Sequence, residues 1–114
     1  MILRSLFILI LTILIVACSN RYTHAQQLYH QGEVAYQQQN YAAAFSALLR
    51  SAHLGNSNSQ YVVGYMYYNG LGIARDQTAA LAWFQKAVKQ GNPRAIQAMQ
   101  QLEENAQQKI QSTI

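Results

Sequence analysis

Between Asn58 and Gly91 the chain reads NSQYVVGYMYYNGLGIARDQTAALAWFQKAVKQG, and this stretch leaves few options for the fold. It predicts a short helix from about Ser59 to Tyr68, closed by Asn69-Gly70, because glycine after a helix accepts the left-handed backbone that other residues resist. Gly72 supplies a second permissive point. Asp76 stands where an N-cap carboxylate takes up free backbone N–H groups. From Gln77 onward, Ala80, Trp83, Phe84, Ala87 and Val88 fall on one helical face. Lys86 and Lys89 sit near the negative end of the helix dipole, and Gly91 closes the helix. The unit is an αα-hairpin. A lone hairpin cannot bury both of its faces, so neighbouring units must stack on it.

Self-similarity supplies the neighbours. At an offset of 36, Gly55 meets Gly91, Asn56 meets Asn92, Leu48 meets Phe84 and Ala44 meets Ala80. At an offset of 32, Gly32 meets Gly64 and Tyr36 meets Tyr68. The two offsets differ by the extra length of the second hairpin's loop, Asn69 to Arg75, over the tight Gln38-Gln39-Asn40-Tyr41 turn of the first. The small residues Ala44, Ala80 and Ala87 let helices approach closely, while Trp83 and Phe84 bring the large apolar area a small core needs. Asn92 and Pro93 suit the start of a last helix, whose tail from Glu103 to Gln111 is polar nearly all round, as in a terminal cap. The expected architecture is all-α, with αα-hairpin repeats in a short solenoid of about five helices: roughly 24–38, 41–54, 58–68, 76–90 and 93–109.

The run Tyr67-x-x-Gly70-x-Gly72-Ile73-x-x-Asp76-x-x-x-Ala80-x-x-Trp83-Phe84-x-Lys86-Ala87-x-x-x-Gly91 resembles a Sel-one-like repeat. The first unit, Gly32-x-x-x-Tyr36 through Tyr41-x-x-Ala44, is similar to the related tetratricopeptide repeat. The resemblance covers about Ala25 to Leu102 and makes Gly64, Gly70, Gly72, Asp76, Ala80, Trp83, Phe84, Ala87 and Gly91 structural repeat positions. Gln100 fills the place of Gly64 in the third copy, which departs from the pattern there.

The N-terminus reads as an address. Met1 to Ala17 carries Arg4 and then an apolar run long enough for the core of a signal peptide and short for a spanning helix. It ends in Leu14-Ile15-Val16-Ala17-Cys18, which resembles a bacterial lipobox. The resemblance implies a signal peptide over 1–17, a lipidated Cys18 with a tether over 18–24, and a repeat domain over 25–111. Two alternatives stay open: Cys18 as a bystander thiol beside an uncleaved anchor, and cleavage after Ala25, leaving a soluble periplasmic protein. Ser19 rather than aspartate after the cysteine implies, by the same resemblance, an outer-membrane lipoprotein facing the periplasm.

The charge pattern argues against nucleic acid as a partner. Net charge is +4, but the basic residues form no run of one sign. One cysteine excludes an internal disulfide framework or a Cys-based zinc cluster. His24, His30 and His53 lack metal-ligand spacing. Glu103 and Glu104 are adjacent and diverge on a helix, so they form no converging acid–base pair. No serine is followed by lysine three places on, as in penicillin-recognising acyl enzymes. No catalytic, metal or cofactor site is expected.

In solenoids of the resembled kind the first helix of each pair lines a concave, ligand-facing side. That resemblance implies a stripe of Tyr61, Tyr65 and Tyr68 in the second unit, answered by Tyr29, Glu33 and Tyr36 in the first and by Gln97, Gln101 and Glu104 in the last helix. Tyrosine brings large area and a hydroxyl at low entropic cost. These tyrosines suit a partner-binding groove; they equally suit packing between helices with hydroxyls at the surface. The function expected is a protein–protein interaction adaptor or scaffold in the cell envelope, held to the membrane by an N-terminal lipid, with homodimerisation by repeat stacking open to it. A glycan or peptidoglycan-fragment binding module using the same tyrosines is the alternative.

Overall fold

The computed structural model describes the whole chain, Met1–Ile114. It is all-α: α1 (Ile2–Gln37), α2 (Tyr41–His53), α3 (Ser57–Asn69), α4 (Gln77–Lys89) and α5 (Pro93–Thr113). Successive helices pack antiparallel, α1 on α2 and α3 on α4 as hairpins, with α2 on α3 joining them and α5 closing the stack.

Four of the helices start on a side-chain cap. Asn40, Asn56, Asp76 and Asn92 accept from the backbone N–H of Ala43, Ser59, Ala79 and Ala95 respectively. α3 ends as its sequence predicts: Gly70 takes a left-handed conformation at φ 69° and donates to the Met66 carbonyl. The following loop folds back on the helix, Leu71 N–H donating to Met66 and Asp76 N–H to Tyr67. Gly72 carries the tightest constraint. It has φ +70°, and a Cβ there would collide with the Tyr41 carbonyl at the start of α2. The loop of the second hairpin therefore locks onto the first.

Each hairpin is built on one small–large pair. A Cβ on Gly32 would overlap Leu48, and a Cβ on Gly64 would lie 2.7 Å from Phe84 Cδ1. These pairs are related by the repeat offsets, so the internal similarity is a repeated packing solution. The core gathers Tyr29, Ala44, Phe45, Leu48, Ala52, Val63, Met66 and Trp83. Ala80 and Ala87 are fully buried, and Trp83 is 8% exposed. His53 meets the Trp83 ring edge-on at 5.0 Å, and the Lys86 ammonium sits 4.3 Å from its centroid.

A polar seam runs between the units, and the sequence reading missed it. Buried Ser51 Oγ donates to the Ala25 carbonyl at 2.7 Å and accepts from Ser59 Oγ at 2.7 Å. Gln60 donates to the Ala52 carbonyl. The cap asparagines also reach backwards: Asn56 to Gln26 Oε1 at 3.1 Å and Asn92 to Asn58 Oδ1 at 2.9 Å. Gln26 and Asn58 are themselves related by the offset of 32, so this is one inter-helix contact made twice. Every buried side-chain polar atom is satisfied.

Two boundaries differ from expectation. The first helix starts at Ile2 instead of about residue 24. No proline or glycine interrupts the chain before Gly32, so no breaker stops propagation. Residues 18–24 are accordingly helical. The last helix continues to Thr113, past the expected end near 109, again without a breaker. Residues 1–24 are exposed throughout, and only Ala95 of α5 is fully buried.

Candidate functional site

Three of the odd-numbered helices present one face to a common concavity. α1 contributes Tyr29, Glu33, Tyr36 and Gln37; α3 contributes Tyr61, Val62 and Tyr65; Arg94 of α5 closes one side, and Leu48 of α2 forms the floor. The cavity is about 290 Å³. Its depth follows from Gly32: because α1 carries no side chain there, Leu48 comes up against α1 and leaves room between the tyrosine rows.

The tyrosines differ in burial. Tyr29 belongs to the core at 8% exposed, Tyr36 and Tyr61 are half-buried, and Tyr65 is 41% exposed. Tyr36 stacks edge-on against Tyr41 at 5.2 Å, and Tyr61 lies 5.9 Å from the Phe84 ring. The two expected roles, packing and lining a groove, are therefore divided among the residues. Tyr29 forms the wall, Tyr36 and Tyr61 have one face packed, and Tyr65 offers its ring to solvent.

The groove has a polar edge of both signs. Burial, then the adjacent Glu33 carboxylate, pushes the Tyr29 hydroxyl up to about 12, while the Arg94 guanidinium acts in the opposite sense. Tyr36 is also raised, by burial first and then by Tyr65, Tyr41 and Tyr61. Both hydroxyls stay protonated and able to donate across the physiological range. Glu33 meets His30 Nδ1 at 3.3 Å, and Arg94 has no carboxylate within bonding distance. Arg94 also lies in the first turn of α5, where a cation opposes the helix dipole. Packing gives no reason for an arginine in that place.

The structure departs from the expected stripe in two ways. Tyr68 continues the line of Tyr61 and Tyr65 but lies beyond the cavity, at the loop end of α3, with the Arg75 guanidinium 5.7 Å from its ring centroid. Gln97, Gln101 and Glu104 are exposed on α5 and outside the cavity. α5 touches the stack mainly through its first turns, so Arg94 reaches the groove where later residues do not. A signal for Arg94 was present in the sequence: it follows the Asn92-Pro93 helix start and aligns with Asn58, in the first turn of α3. The repeat glycines and apolar positions serve the scaffold. Phe84 packs on Gly64, Gly91 turns α4 into α5 at φ 76°, and Asp76 caps α4.

With this geometry in view, comparison with known proteins becomes specific. Residues 57–92 match the Sel1 repeat. The match spans α3, the two-glycine loop, α4 and the turn into α5. A solved Sel1 repeat protein from Oxalobacter formigenes superposes with a TM-score of 0.66 at 32% identity, over 68% of this chain and 24% of that one. The five helices thus have the αα-solenoid fold of Sel1 repeat proteins. Among curated relatives, an ERAD-associated E3 ubiquitin-protein ligase component, HRD3A of Arabidopsis thaliana, is 46% identical over 56 residues, which is 48% of this chain and 8% of that protein. Chitin synthase regulatory factor 3 of Schizosaccharomyces pombe is 38% identical over 52 residues, 46% of this chain and 6% of its own. The chain therefore spans less than a tenth of the length of these two relatives. The first is named as a component of a ubiquitin-protein ligase and the second as a regulatory factor of chitin synthase.

Proposed function

We propose that this chain is an envelope-anchored interaction adaptor that holds a protein partner in the groove between α1, α3 and α5. The observation that carries the reading is the groove itself: a cavity of about 290 Å³ walled by tyrosines, with an arginine that no carboxylate of this chain neutralises. Aromatic residues and arginine are the side chains that concentrate binding energy at interfaces. The relatives' names point the same way, as parts or regulators of larger assemblies.

Anchoring is the second half of the proposal. α1 contains an 18-residue window of mean hydropathy 2.6 with none of it buried, long and apolar enough to cross a membrane, a property signal sequences share. Cys18 is exposed at its end, where an acyl chain has access. Under this reading the protein is a lipoprotein of the bacterial envelope, facing the periplasm from the outer membrane. Cys18→Ser is expected to leave unprocessed precursor, or a product without acyl mass. Equal mature mass and equal membrane fraction in mutant and wild type count against lipidation.

The groove is tested by Tyr65→Ala, since Tyr65 is the most exposed groove tyrosine and truncating it leaves the core intact. Retention of the partner that wild type captures from envelope extract should fall about thirtyfold, the effect of losing roughly 2 kcal/mol at a hot spot, with the thermal midpoint unchanged. Intact retention with a lowered midpoint would assign Tyr65 to packing. Retention of isolated sacculi in place of a protein would favour the glycan reading.

A further inference from the structure

Because the helices alternate in direction, the repeat stack has two distinct ends. One end gathers residues 18–26 of α1, the C-terminus of α2, the N-terminus of α3, the C-terminus of α4 and the N-terminus of α5. Hydrogen bonds tie it together: Asn56 to Gln26, Gln90 to the Gly55 carbonyl and Asn92 to Asn58. A cavity of about 360 Å³ lies there, with Cys18 and Arg21 on one side and Asn56, Ser57 and Gln90 on the other.

Charge is divided unevenly between the ends. Arg21, Arg50, Lys89 and Arg94 all belong to this end, all are exposed, and none is ion-paired. Of the carboxylates only Glu33 comes near, across the groove from Arg94; none accompanies Arg21, Arg50 or Lys89. Asp76 lies at the opposite end, and Glu33, Glu103 and Glu104 lie about two turns or more along α1 and α5. The remaining cations of the repeats are engaged or distant: Lys86 on Trp83, Arg75 on Tyr68, and Lys109 near the far end of α5. The helix dipole accommodates Arg50 and Lys89 in last turns. It gives no reason for Arg21 within α1, and it opposes Arg94.

We propose that this basic end lies against an anionic lipid headgroup surface, with Arg21, Arg50 and Lys89 toward the phosphates and Arg94 left to the groove. The proposal rests on the membrane-anchoring reading and goes beyond it by fixing the orientation. The apolar segment Ile2–Ala17 leaves the repeats at this same end. An acyl group on Cys18 and a retained apolar helix therefore both deliver the same face to the bilayer. Tyr61 and Tyr65 then stand about 6 and 12 Å above the start of α3, at 1.5 Å per residue. The groove opens sideways, just above the headgroups.

Trp83 is the chain's single tryptophan and lies roughly 9 Å from the end of α4, so it reports the height of the domain. The full chain is moved from detergent into vesicles of phosphatidylcholine alone, or phosphatidylcholine with phosphatidylglycerol. Flotation reads anchoring, and energy transfer from Trp83 to dansyl-labelled headgroups reads orientation. The comparison chain carries Arg21→Gln, Arg50→Gln and Lys89→Gln, all at exposed positions outside the groove, with its fold checked by thermal midpoint. Each basic residue near an anionic surface is worth roughly fivefold, so the three together shift the docked population roughly a hundredfold. The expected result is flotation with both vesicles and stronger transfer on the anionic ones. That excess should be lost in the triple variant and in about 1 M salt, where the Debye length falls to about 3 Å. Flotation with both vesicles but equal transfer, or transfer unchanged in the variant, overturns the proposal while anchoring stands. Flotation with anionic vesicles alone, abolished in the variant, supports the basic end and removes the anchor; flotation that survives in the variant overturns the basic end. Flotation with neither overturns both.

Discussion

Tyr29 shows how one residue serves core and groove together. Its ring packs among Ala44, Phe45 and Leu48, while its hydroxyl end meets Glu33 at the cavity wall. Burial and the carboxylate disfavour the phenolate, raising the folded-state value to about 12 from an ordinary 10.0. A group whose folded pKa lies above its unfolded value contributes stability that is fully present below the unfolded pKa. That contribution is lost as pH rises through the folded pKa. Tyr29 therefore stabilises the fold below about pH 10, and its contribution disappears between there and about 12. Thermal midpoints measured across this window should fall in wild type and fall less steeply in Tyr29→Phe, which has nothing to ionise. Parallel curves would show that Tyr29 is no more protected than the other tyrosines. Tyr36 shifts in the same direction, so some slope is expected to remain in the variant.

At the scale of the helices, the second hairpin was legible because its constraints are local. Gly70, Gly72 and Asp76 declare a cap, a positive φ and a helix start through residue type alone, and each takes that role. Trp83 and Phe84 were readable as buried from helical spacing, because a stripe of large apolar residues has one place to go. What sequence could not show depends on three-dimensional closure. Ser51, Ser59 and Gln60 look like surface residues until α2 meets α3 and their hydroxyls and amide find partners. Tyr68 shares a helical stripe with Tyr61 and Tyr65, but periodicity does not tell where along the stripe a cavity ends. Arg94 enters the groove because α5 crosses the stack at its first turns, a fact of packing. The anchor of the second hairpin is Trp83, which joins α4 to the core around Phe45, Leu48, Val63 and Met66. Trp83→Ala should cost about 3–5 kcal/mol, the usual loss for a large aromatic in a core. Chemical denaturation measures it, and a loss under about 1 kcal/mol would mean that the buried ring is not the anchor of the second hairpin. Against a total of roughly 5–15 kcal/mol for a domain, a loss at the upper end leaves the variant marginally folded.

At the scale of the whole molecule, the extents of 74 × 34 × 19 Å describe a small stack with a long helix projecting from it. All core residues fall between Ala25 and Ala95. α1 holds Ala25, Leu28, Tyr29 and Gly32 in the stack, whereas residues 1–24 are exposed. The apolar segment therefore adds nothing to the packing of the repeats, and its exposure in water is a liability that a membrane or a processing step removes. Removal of residues 1–17 should then leave the fold unchanged. The shortened chain is expected to keep its helical signal over the repeats and to lose that of the projecting helix. Its thermal midpoint should shift by less than about 4 °C, the change that half a kcal/mol or so produces in a domain of this size. Amide exchange gives the finer measurement. Slow amides should be confined to α2, α3, α4 and the second half of α1, because these carry the buried contacts, with rapid exchange in the polar tail of α5 from Glu103 onward. A midpoint that collapses on removal of 1–17, or slow exchange lost in α2 and α3, would show that the projecting helix supports the repeats. It would then have to be counted as part of the domain and no longer as its anchor.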